Sequence, residues 1–290
     1  MSRIGETFKR SWQLLGASWA VLMSRPSLLI FPVLAFPAFL AVLALMLGGG
    51  IAIFGMSPET ADPTTMQIIL GVILFAAGIY LLSFTTIFLN TALAGVVLRI
   101  LRGENPTVSD GFAIARSRLG AIAGYAAIST IVGIIINTIQ EKAGAMGGIA
   151  GALGGFAWGI ATALVMPVLA AENVGPVDAI RRSSGLLKRT FGAQITGAAG
   201  LGAAIFLPML LTGLIGGGLL ALGGNTSSQV LSTLGIIVLV GGLGLLTLLA
   251  LTVGTALQQI FSTAVYHYSA DGQPNPYFPD DLLRSAYRAK

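Results

Sequence analysis

From Thr190 to Ala270 the chain carries no lysine, arginine, aspartate or glutamate. A helix needs only about 20 apolar residues to cross a bilayer, so this run alone crosses at least twice. Composition agrees: charged residues make up 9% of the sequence and hydrophobic ones 55%, with a mean hydropathy of +0.87. A soluble domain carries about 25% charged residues. The fold class expected is therefore all-α, a polytopic membrane helical bundle.

Cutting the chain at charges and turn residues leaves six apolar spans, approximately Ser27–Phe54, Gln67–Leu98, Leu119–Gln140, Gly144–Ala171, Gly192–Leu222 and Ser228–Tyr268. The last is longer than one crossing requires and either tilts or continues beyond the bilayer. No polar segment is long enough for a separate soluble domain, so residues 1–290 are expected to form a single transmembrane domain. The apolar segment after Arg25 lacks a small-x-small cleavage pattern and reads as an uncleaved first span. Cysteine is absent, which removes disulfides, thiolate nucleophiles and Cys-based metal or iron–sulfur sites.

Lysine and arginine accumulate in cytoplasmic connections. Here Arg3, Lys9, Arg10 and Arg25 precede span one, and Arg99, Arg102, Arg116 and Arg118 separate spans two and three. Arg181, Arg182, Lys188 and Arg189 separate spans four and five, and Arg284, Arg288 and Lys290 follow span six. Only Lys142 lies on the other side. Both termini are thus expected in the cytoplasm, with the protein in the cytoplasmic (inner) membrane.

Three of the basic segments read as amphipathic interfacial helices on the cytoplasmic side. In GPVDAIRRSSGLLKRTFG, Arg181, Arg182, Lys188 and Arg189 share one stripe, and Ile180, Leu187 and Phe191 lie opposite. In the first segment Ile4, Phe8, Trp12, Leu15, Trp19 and Leu22 form an apolar face opposite Glu6, Lys9, Arg10 and Gln13, with the tryptophans suited to headgroup level. The middle segment, TVSDGFAIARSRLG, is shorter, and Thr107, Ser109 or Asp110 each suits a helix cap. A basic helix followed by a two-span hairpin then occurs three times, in units of about 1–100, 101–173 and 174–270. ETFKRSWQLL and DAIRRSSGLL align in register.

The stretches SWQLLGASWAVL…LLIFPVLA (Ser11–Ala35), WGIATALVMPVLAAENVGPVDAIRRSSGLLKRTFGAQITG (Trp158–Gly197) and FSTAVYHYSADGQPNPYF (Phe261–Phe278) together resemble a prokaryotic family of six-span integral membrane proteins known only as a domain of unknown function. Its motif falls on Pro167, Glu172, Gly175, Pro176 and Arg181. The resemblance implies the topology and carries no activity.

The glycines of MGGIAGALGGFAWG admit three readings. Gly147, Gly151, Gly155 and Gly159 recur every fourth residue, leaving one face of span four almost without side chains. A dinucleotide fingerprint needs a preceding strand and G-x-G-x-x-G spacing, and neither is present. Small-xxx-small helix packing is the favoured reading, within the chain, with a second copy or with a membrane-complex partner; a path lined by bare backbone is the alternative.

No ionisable residue falls near the middle of a span, which disfavours a proton relay or a carboxylate-based coupling site. The uncharged polar residues Asn90, Thr91, Asn137, Thr138, Gln194, Thr196, Gln258 and Gln259 are expected to bond between helices. Asp178 is expected to pair with Arg182, and Glu172 to cap or salt-bridge the end of span four. His267, between two tyrosines, suits an aromatic belt. Pro32, Pro37, Pro167 and Pro208 lie within spans, where they tend to kink helices.

No catalytic set, metal site, cofactor or nucleic-acid partner is expected. The reading is a non-catalytic membrane scaffold or accessory subunit that engages anionic lipid through Lys9, Arg10, Arg181, Arg182, Lys188 and Arg189. The alternative is a channel or carrier for a lipid or other largely apolar solute.

Overall fold

The computed structural model describes residues 3–55, 62–142, 144–226, 228–272 and 277–278, with the side chains of 3–11, 144–146, 188–200 and 271 outside the description. The described elements are helical. In order they are α1 (Arg3–Ser24), a 3₁₀ turn (Pro26–Leu29), α2 (Ile30–Phe54), α3 (Thr65–Leu101), α4 (Val108–Ser117), α5 (Leu119–Lys142), α6 (Gly144–Thr162), α7 (Val165–Ala171) and α8 (Pro176–Asn225). Then come α9 (Gln229–Ile236), α10 (Leu243–Leu249) and α11 (Thr255–Asp271), joined by π-helical turns at Ile237–Gly242 and Ala250–Gly254. Among the described residues six helical stretches are long and apolar enough to cross a membrane: Pro26–Phe54, Thr65–Leu101, Leu119–Lys142, Gly147–Ala171, Leu201–Asn225 and Gln229–Ala270. The fold is an all-α, polytopic membrane bundle.

Local chemistry sets the ends. Arg25 precedes Pro26, a position that disfavours the α conformation, and its φ of −144° and ψ of 74° end α1. Thr64 opens α3 with a capping box: its hydroxyl accepts from Gln67 N–H at 3.3 Å, and Gln67 Oε1 accepts from Thr64 N–H at 2.8 Å. The Gln67 amide also donates to the Ile53 carbonyl at 2.8 Å, fastening the end of α2 to the start of α3. After α3, Gly103 takes a φ of +81°, a left-handed conformation that glycine adopts without strain.

Packing sorts the chain into two compact units, one of residues 1–32 with 189–290 and the other of residues 33–188. In the first, α1 packs on α11, although they come from opposite ends of the chain. The face of α1 that is buried carries Leu14, Ser18, Val21 and Leu22, while Trp12 and Trp19 remain about half exposed. His267 is 2% exposed within α11, so it belongs to the packed interior of this unit and not to an aromatic belt.

In the second unit, α3 is the central element, touching α4, α5 and α7, and α5 also packs on α6. Span four is not one helix. Pro167 cannot donate to the carbonyl of Ala163, and the chain breaks at Ala163–Leu164, between α6 and α7. Pro37 and Pro208, by contrast, lie inside unbroken helices.

Gly192 was expected to separate an interfacial helix from span five. Instead α8 is a continuous helix of 50 residues, about 75 Å long against a hydrocarbon core of about 30 Å. A glycine inside a helix costs only about 1 kcal/mol, too little to stop one with no proline near the join.

Candidate functional site

Two features of the second unit carry chemistry: a charged end and an uncharged groove. The charged end gathers the close of α3, the whole of α4, the start of α5, the close of α7 and the start of α8. Thr107 caps α4 by accepting from Asp110 N–H at 3.3 Å, while the Thr107 N–H and hydroxyl each donate to Asp110 Oδ2 at 2.7 Å. Arg99 reaches the same carboxylate at 3.2 Å and Glu104 at 3.7 Å. The Thr107 backbone N–H, then its hydroxyl and then the Arg99 charge hold the Asp110 carboxyl below its ordinary pKa.

A second set of contacts joins the two loops of this end. Arg118 donates to the Asn173 side-chain oxygen. Arg182 Nε donates to Glu172 Oε1 at 3.0 Å, and Arg181 lies 3.5 Å from Asp178. The expected Asp178–Arg182 pair is therefore replaced. The Asn173–Gly175 turn lays Glu172 against the first turns of α8, where Arg182 meets it, and Asp178 is left to the residue one turn on. Arg181 keeps 78% of its side chain exposed, Arg182 48%. The side chains of Lys9, Arg10, Lys188 and Arg189 lie outside the described residues.

Below this end the helices close on each other. A Cβ on Gly124 of α5 would stand 2.8 Å from Pro176 Cγ at the start of α8. The break in span four leaves the Leu164 N–H without its helical acceptor, and the Ser183 hydroxyl of α8, fully buried, accepts from it at 3.1 Å. Thr91 of α3 donates to the Met166 sulfur at 3.8 Å, and Thr130 of α5 donates to the Ser83 hydroxyl of α3 at 3.3 Å.

Leu82, Ser83, Thr86 and Ile87 of α3, Tyr125 and Ser129 of α5, and Met166 of α7 line an open groove of about 360 Å³. In the first unit, a second groove of about 300 Å³ is lined by apolar side chains, Leu15 and Trp19 of α1 and Pro208 of α8 among them.

Of the span-four glycines, Gly147 and Gly151 are buried, Gly155 is half-buried and Gly159 is exposed. A Cβ on Gly151 would overlap the Gln140 side chain of α5, whereas one on Gly155 or Gly159 would meet nothing within 4 Å. The polar residues singled out from the sequence divide. Thr91 bonds between helices. Thr138 instead donates to the Ile134 carbonyl of its own helix at 2.8 Å, and Gln259 is buried with its amide 3.5 Å from Thr263, also in its own helix. Gln258 is exposed beside it; Gln194 and Thr196 have side chains outside the description. Sequence reasoning passed over Ser83, Thr86, Ser129 and Ser183. The signal for Ser83, Thr86 and Ser129 is hydroxyls in otherwise apolar spans; Ser183, in the basic start of α8, carries no such signal.

A family model matches residues 64–275, from the cap of α3 to just beyond α11. The chain belongs to DUF6159, a family of unknown function. The match takes in the arginine-rich end, the break in span four and Pro167, Glu172, Gly175, Pro176 and Arg181, while Ser11–Ala35 precedes it. No curated protein and no solved structure matches this DUF6159 member.

Proposed function

We propose that this DUF6159 member is a non-catalytic scaffold or accessory subunit of the cytoplasmic membrane, with both termini in the cytoplasm, which engages anionic lipid through the arginine-rich end of its second unit. The observation that supports this is the charge difference between the two ends of that unit. Six arginines (99, 102, 116, 118, 181 and 182) meet four carboxylates (Glu104, Asp110, Glu172 and Asp178) at one end. At the other the described ionisable residues are Asp62, Glu141 and Lys142. The first is net positive and the second net negative. By the positive-inside rule the arginine end faces the cytoplasm, where each basic residue near an anionic leaflet contributes about 1 kcal/mol.

The exposed Arg181–Asp178 pair is of a kind worth at most about 1 kcal/mol, so Arg181 keeps most of its attraction for a phosphate. The sequence reading adds Lys9, Arg10, Lys188 and Arg189 as further basic residues for this role. The partners in this reading are anionic membrane lipids and another membrane protein or a second copy docked on the span-four glycines. No cofactor and no nucleic acid enter it.

The test is quantitative lipid analysis of purified protein. Changing Arg181, Lys188 and Arg189 to Glu, while leaving Arg182 to hold Glu172, should abolish preferential co-purification of anionic lipid; the change at Arg182 as well should do no less. Equal anionic lipid in parent and variants, with topology intact, removes the lipid-gripping role. The second reading, a carrier or channel for a lipid or other apolar solute, is favoured by the groove beside the broken span.

A further inference from the structure

The groove between α3, α5 and α7 has a lining that is unusual for its depth. Ser129 stands ten residues into α5, about 15 Å from Leu119, which is near the middle of a hydrocarbon core about 30 Å thick. There a polar group needs a partner, because neither water nor lipid tails supply one. Yet four of the seven lining side chains are hydroxyl-bearing: Ser83, Thr86, Tyr125 and Ser129.

Their hydrogen bonds are incomplete. Several serines and threonines in these spans are satisfied by a carbonyl one turn back, as Thr138, Thr162 and Thr247 are. Ser129 Oγ is shielded and has no hydrogen-bond partner. The Tyr125 hydroxyl lies beside Ser129 and Thr162, at the end of α6, but outside ordinary hydrogen-bond geometry to Ser129 Oγ. Ser83 accepts from Thr130, so its own proton is left for a further acceptor. Thr86 is exposed at the mouth. Leu82, Ile87 and Met166 make the rest of the wall apolar, and Met166 is flexible enough to adapt.

Two limits define the ligand. No ionisable carboxylate, amine or guanidinium lines the groove, so nothing there neutralises a charged headgroup, which is expensive at this depth. The volume of about 360 Å³ is on the order of ten times what one water occupies, so a single bridging water leaves most of it empty. An uncharged polar group carried on apolar tails meets both limits.

We propose that this groove binds an uncharged, hydroxyl-bearing glycerolipid of the diacylglycerol type. The lipid hydroxyl donates to and accepts from the Ser129, Ser83 and Tyr125 hydroxyls, an ester carbonyl accepts from Thr86, and the acyl chains leave along Leu82, Ile87 and Met166 into the bilayer. The site goes beyond the scaffold reading and shares no residue with the arginine end, so loss of anionic lipid co-purification leaves it standing.

The test uses the full chain in nanodiscs containing a photoactivatable diacylglycerol, with a photoactivatable phosphatidylglycerol of the same tails as the charged comparison. The diacylglycerol probe should label peptides containing residues 82–87 and 125–129, and unlabelled diacylglycerol should compete. Ser129→Ala removes one hydroxyl and should lower labelling roughly three- to fivefold, and Ser129→Leu, which fills the groove, should abolish it. Both variants are compared at equal recovery of monodisperse protein, and Ser129→Ala, a loss of one oxygen, guards against a folding failure of the larger change. Equal labelling by both probes, labelling that neither variant changes, or no labelling of these peptides in the parent overturns the proposal.

Discussion

Ser183→Ala tests the architecture of the broken fourth span through one hydrogen bond. Pro167 opens the helix at Ala163–Leu164, and the Leu164 N–H it frees is satisfied by Ser183 Oγ at 3.1 Å, with Leu164 and Ser183 both 0% exposed. Alanine leaves that donor buried and unpaired. The cost in soluble proteins is about 1–3 kcal/mol, and hydrogen bonds between membrane helices average nearer 0.6 with a maximum of about 1.7 kcal/mol. A loss of roughly 1–2 kcal/mol is expected, which at 2–4 °C per kcal/mol is a fall in melting temperature of about 2–8 °C. Thermal unfolding in one detergent, followed by loss of monodisperse protein, reads it. The adjacent Ser184 bonds only to the Arg181 carbonyl, on the exposed side of the helix, so Ser184→Ala should melt within about 1 °C of the parent. If Ser183→Ala melted with Ser184→Ala, the freed N–H would have another partner, and α8 would not be what holds the break.

The glycines of span four should separate by position: Gly151→Leu, which must displace Gln140, should cost about 1–3 kcal/mol, while Gly155→Leu should leave the monomer's melting unchanged and shift only the oligomer population if a second copy docks there. Equal melting of the two variants contradicts this placement. For Asp110, the folded pKa lies below the unfolded one, so its cap contributes fully above about pH 4, and that contribution falls away as pH drops through the lowered folded value. Asp110→Asn should therefore melt below the parent at neutral pH, with the gap closing towards pH 2; a gap independent of pH refutes the carboxylate's role.

The spans were legible because a bilayer demands long apolar runs whatever their neighbours do: five of the six observed stretches begin and end within about three residues of those read from charges and turn residues, and the fifth, Leu201–Asn225, agrees at its end but begins nine residues later than Gly192. Thr107 was among three candidate caps, and the structure selects it because Asp110 closes the box from three residues on. Pro167 announced a kink, and the rule that proline fails its bond to the fourth residue back locates it at Ala163. What the sequence hid depends on register between helices. Ser83, Thr86, Tyr125 and Ser129 are single polar residues on two helices, and only the pairing of α3 with α5 assembles them. The face of α1 that packs is Leu14, Ser18 and Val21, not the wider stripe through Trp12 and Trp19, because the choice is made by the surface of α11. The length of α8 was missed for a different reason: Gly192 and a change from basic to apolar residues look like a boundary, but neither breaks a helical backbone.

The account rests most heavily on the arginine-rich end lying in the cytoplasm. The chain has no cysteine, so single cysteines at Ser57, between the first two spans, and at Thr107, ahead of α4, report position directly. In intact cells treated with a membrane-impermeant maleimide, cysteine at Ser57 should label and cysteine at Thr107 should label only after the membrane is permeabilised. Labelling at Thr107 from outside, with Ser57 protected, would place the arginines on the outer face and contradict the account.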